Sequence, residues 1–74
     1  MEKEELKKQI IEILEKMGCL DIVFRENINE GIIIVLFNCR NLTSFKGSFD
    51  NWIYSGIHLD PSNERQYKLD FKKI

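Results

Sequence analysis

Alanine is missing altogether from this 74-residue chain, and histidine, tryptophan and proline each occur once. The missing alanine, beside abundant Ile, Lys and Asn, reflects AT-rich codons and points to a bacterial or phage origin. Two cysteines, Cys19 and Cys39, are too few for a disulfide scaffold. With His58 they are the only soft metal ligands. None is closely paired, and a four-ligand zinc site would have to recruit an aspartate, so neither metal nor cofactor is expected. No apolar run approaches the ~18 residues of a membrane span. Met1-Glu2-Lys3-Glu4-Glu5 carries charge where a secretion signal needs an apolar segment. The expected compartment is the cytoplasm, with both thiols reduced.

Eleven basic residues face 12 acidic ones, a net charge of −1. That excludes a general nucleic-acid coat, which is basic, and a DNA mimic, which is densely acidic. Catalytic signals are equally thin. His58 and Asp60 lie two apart and would share a strand face, the arrangement that orients a general base. No nucleophile accompanies them. Ser44, Ser48, Ser55 and Ser62 lack an elbow motif, and Lys46-Gly47-Ser48 lacks the other glycine of a phosphate loop. No catalytic residue is assigned, and the chain reads as a non-enzyme.

What is present is a core-forming composition, 43% hydrophobic, enough for one small domain over residues 1–74. Leu6, Ile10, Ile13, Leu14 and Met17 recur on one stripe and predict an amphipathic helix over 3–17, with Ile11 flanking the stripe. Gly18 stands where a left-handed C-terminal cap belongs. Residues 20–27 alternate as a strand. Asn29-Glu30-Gly31 reads as a type I turn with a glycine bulge. Ile32-Ile33-Ile34-Val35-Leu36-Phe37 then reads as a strand apolar on both faces. A short strand is conceivable within 42–46, another is expected over 52–59, and the cleanest over 65–73. Asp60-Pro61-Ser62-Asn63 is turn chemistry. The expected fold is α+β and two-layered: the N-terminal helix packs on a curled antiparallel meander of three to four strands.

Loops centred on or next to Asn29 place Leu20, Ile22, Phe24, Ile32, Ile34 and Leu36 on the helix-covered face. Val23, Arg25, Ile33, Val35 and Phe37 then form a face that a single helix cannot reach. In strand 52–59, Ile53, Ile57 and Leu59 are expected inward and Trp52, Tyr54 and His58 outward. The candidate partner-binding residues are accordingly Val23, Arg25, Ile33, Val35, Phe37, Trp52, Tyr54 and His58. Uncovered apolar and aromatic surface of this kind marks association sites. The functional expectation is a small non-enzymatic interaction module that self-associates or docks on a larger host or defence protein, as phage and mobile-element inhibitors do. The alternative is nucleic-acid binding, with Trp52 and Tyr54 among Arg25, Lys68 and Lys72 as a stacking platform.

Overall fold

The computed structural model describes residues 1–27 and 31–74. The elements are α1 (Lys3–Lys16), β1 (Cys19–Asn27), β2 (Ile32–Cys39), β3 (Trp52–Tyr54), β4 (His58–Leu59) and β5 (Tyr67–Lys73). One helix packs on an open, five-stranded antiparallel sheet, so the α+β class is as expected, with one strand more. The strand order is β1-β2-β5-β3, and β4 lies on the same side of β5 as β3. The expected meander is therefore corrected: after β2 the chain crosses to the far edge, and β5 returns into the gap.

The helix forms as its stripe requires. Leu6, Ile10 and Leu14 are fully buried, and Ile13 and Met17 pack at the margin. Gly18 ends it at φ +83°, a conformation that costs glycine little.

The hairpin departs from expectation by one residue, and the consequence is large. Asn27 pairs with Ile32 and Phe24 with Val35, a register offset by one from both loops considered. The turn assigned to Asn29-Glu30-Gly31 lies mostly outside the described residues. Because side chains alternate, a one-residue shift exchanges the faces of a whole strand. Ile22 and Phe24 stay on the helix side, but β2 is inverted relative to them. Ile33, Val35 and Phe37 are fully buried against α1. Ile32 and Ile34 are half-buried on the opposite face. A bulge between Leu20 and Val23, with Asp21 at φ +56°, shifts the register back and sets Cys19 opposite Cys39.

The far end of the core is aromatic. No strand forms within 42–46; the segment instead drops Phe45 and Phe49 into the core, 8% and 6% exposed. Their rings meet Tyr54 and Phe71 at centroid separations of 5.2–5.9 Å, all four contacts edge-to-face. Trp52 is buried and donates its indole N–H to the Met1 carbonyl at 3.1 Å. The Tyr54 hydroxyl donates to the Gly47 carbonyl and accepts from the Gly47 N–H, both at 3.1 Å. The inward assignment of Ile53 and Leu59 is corrected: they are 55% and 76% exposed.

β5 follows its sequence pattern, with Leu69 and Phe71 buried. The turn before it is held by Asp60, whose carboxylate accepts from Ser62 N (2.9 Å), Ser62 Oγ (2.6 Å) and Arg65 N (2.8 Å).

Candidate interaction surfaces

With α1 and the 40–51 segment on one face, the other face of the sheet is left without a covering element among the described residues. Cross-strand pairing arranges it in rows. One row runs Val23, Leu36, Lys68, His58. The next runs Arg25, Ile34, Asp70. A third carries Ile32, Lys72 and Ile53. Three of the eight candidate partner residues, Val23, Arg25 and His58, come together here. The other five are corrected. Ile33, Val35 and Phe37 are 0% exposed and Trp52 4%, while Tyr54 is half-buried in the aromatic cluster; all point into the core. Sequence reasoning missed Ile32 and Ile34 as members of this face, while Lys68 and Lys72 stand beside Arg25 as the stacking-platform reading has them. The alternation of β5 was visible, but its alignment with β2 was not.

Charge on this face is uneven. Its strands contribute Arg25, Lys68 and Lys72 against the carboxylates of Asp70 and, at the bulge of β1, Asp21. Lys68 Nζ lies 3.5 Å from Asp70 Oδ2. Asp70 Oδ1 is buried and has no hydrogen-bond partner among the described residues. Glu64 reaches from the turn to pair with Arg25. Beyond it, Arg65 Nε donates to the Asp21 carbonyl at 2.7 Å and Asn38 Nδ2 to the Asp21 carboxylate at 3.0 Å. The apolar ridge of β2 thus lies between basic stems that bury their methylenes and keep their charges wet.

A second surface lies along the β1 edge. A groove of about 460 Å3 opens between α1 and this edge, floored by Ile11 and Phe24 and walled by Glu4, Lys7, Lys8, Glu12 and Glu15. Lys7 spans its end. It pairs with Glu26 at 2.6 Å and sits 5.7 Å from the centre of the Phe24 ring. The hydrogen bond to Glu26 raises the Lys7 pKa, and the same bond lowers that of Glu26. The position of Ile11 beside the helix stripe was the one sequence signal for this groove.

The remaining chemical candidates do not assemble. His58 is exposed, with Ser55 Oγ 3.3 Å from its Nε2, while Asp60 is buried in its own turn. The Asp60 carboxyl is held below the usual range by the Ser62 hydroxyl and by the N–H groups of the turn. Cys19 and Cys39 are free, buried and directly opposed. Burial, with the neighbouring Cys39, pushes the Cys19 thiol up to about 12. Among the described residues no three His, Cys, Asp or Glu side chains gather to hold a metal ion, and no helix is long and apolar enough to cross a membrane.

No family model, curated relative or solved structure matches this chain significantly.

Proposed function

We propose that the chain is a small non-enzymatic interaction module that docks on a larger protein through the open face of its sheet, blocking or modulating that protein. The observation that carries this reading is a half-buried apolar ridge, Val23, Ile32 and Ile34, flanked by Arg25, Lys68 and Lys72, with Asp70 beside Lys68 and Glu64 paired to Arg25, on a face with no covering element among the described residues. A complementary partner surface is apolar at its centre and acidic at its rim, since like-charge contact costs energy and opposite charge steers encounter. The face carries no Phe, Tyr or Trp side chain among the described residues, because Trp52 and Tyr54 turn inward. This removes the stacking platform from the nucleic-acid alternative.

The test is affinity capture from the source organism with wild type, Ile34→Asp and Lys68→Glu/Lys72→Glu, followed by titration of the purified captured protein. Support would be one protein retained by wild type, released by rising salt but not by nuclease, and lost with either outer-face variant that still melts cooperatively. Retention of the same protein by both variants, or its release by nuclease, would defeat the reading.

A further inference from the structure

We infer that the β1 edge, together with the groove beside it, is the interface with a second copy of this chain, paired antiparallel so that two sheets join into one. This contact uses the edge rather than the outer face and is independent of the proposed partner. The two edges of the sheet differ. At the far edge β3 and β4 are three and two residues long and are separated by residues 55–57, so little continuous backbone is offered. β1 is nine residues long, the longest strand, and pairs only with β2 among the described residues. Long edges are templates for strand addition, and beyond the bulge between Leu20 and Val23 residues 23–27 offer the regular stretch of this one.

The groove says what the added strand belongs to. Along the exposed flank of α1 the residues read Lys8, Ile11, Glu12, Glu15: base, apolar, acid. A twofold axis near Ile11 sets Lys8 of each copy against Glu12 and Glu15 of the other. The same operation lays Ile11 and Phe24 against their copies and closes the groove. Such an isologous contact is self-complementary, as twofold interfaces must be. A standard interface needs about 600–800 Å2 per partner, a modest share of the 4945 Å2 this chain exposes.

Sedimentation of the full chain between 10 μM and 1 mM, for wild type, Lys8→Glu and Glu12→Lys/Glu15→Lys, tests this. All three substituted positions are exposed, and circular dichroism checks that each variant is folded. The expected result is a wild-type dimer, dissociation constants raised at least tenfold in each variant alone, and recovery when the two variants are mixed, because each then meets its opposite charge. Amide exchange of Ile22 and Phe24 should slow as the dimer fills. A wild type that stays monomeric at 1 mM, or variants that dimerise as tightly as wild type, would overturn the inference.

Discussion

The two faces of β2 are made from the same kinds of residue and have opposite fates. Ile33, Val35 and Phe37 are sealed in the core with α1 and β5, while on the open side Ile32 and Ile34 lie half-covered and Leu36 alone is buried, between Val23 and Lys68. Nothing in residue type separates the two sets. What separates them is the register at the hairpin, and so the difference teaches that a doubly apolar strand gives its partners no information about which face is which. That ambiguity is resolved by β1 and β5, whose alternation is one-sided, once their alignment with β2 is known.

The sharpest way to break the comparison is to label it. Cys19 faces the core with its thiol pushed up to about 12, and Cys39 lies buried opposite. Thiolate is the reactive form. With a native stability of about 5 kcal/mol, both should react with a disulfide reagent at pH 8 at least ~10³-fold more slowly than in denaturant. A cysteine placed at Leu20, next in sequence but 60% exposed on the other face, should react at nearly the free rate. Equal rates at positions 19 and 20 would erase the inner–outer distinction at this end of the sheet.

Two adjacent isoleucines give the same comparison in stability. Ile33→Ala should cost about 2–5 kcal/mol by urea denaturation, the range for emptying a packed core site. Ile34→Ala, half-buried among basic stems, should cost about 1 kcal/mol. A larger cost for Ile34→Ala than for Ile33→Ala would return β2 to the inverted register that the sequence first suggests.

The elements were legible where a pattern had one period and one face. The α1 stripe, the β5 alternation and the Asp60 turn could be read directly, because each couples burial to position locally. The face of β2 could not, since a loop of even rather than odd length exchanges it. The inward turn of Trp52 and Tyr54 was hidden for a different reason. It depends on Phe45 and Phe49 arriving from an irregular segment, which carries no period at all. The open face followed correctly from there being one helix for a sheet with two apolar sides, but its membership was only partly legible: Val23, Arg25 and His58 belong to it, and Ile33, Val35 and Phe37 do not.

Glycines extend the comparison at smaller scale. A Cβ at Gly47 would lie 2.7 Å from Phe49 Cζ and 3.2 Å from Ile13 Cδ1, on the packed side. Gly47→Ala should cost about 1–3 kcal/mol through overpacking, with Phe49 shifting to make room. At Gly56 an added Cβ meets nothing within 4 Å. Gly56→Ala should stay within about 0.5 kcal/mol of wild type. Thermal melts of the pair decide it, and an unperturbed Gly47→Ala would mean that the aromatic end is loosely packed.

The smallest effect belongs to the ion pair that ties β1 to the helix. Glu26 has its pKa lowered by the hydrogen bond from Lys7, so the folded state holds its proton more weakly than the unfolded chain does. Its contribution is complete above the ordinary carboxylate range, about pH 4–4.5, and is lost as pH falls through the depressed folded value. Lys7 runs the other way: its pKa is raised, so its contribution is complete below the ordinary lysine value and disappears as pH climbs through the raised one. Asp60 adds to the acid limb, since its turn holds the carboxyl low as well. Urea midpoints should therefore decline below about pH 4.5, and Glu26→Gln should flatten part of that decline while leaving the Asp60 part. Both partners of the Lys7–Glu26 pair keep some solvent contact, at 21% and 28% side-chain exposure, so the flattening should shrink as salt is added. An acid limb unchanged by Glu26→Gln would mean that the helix is held to the inner face by its apolar stripe alone.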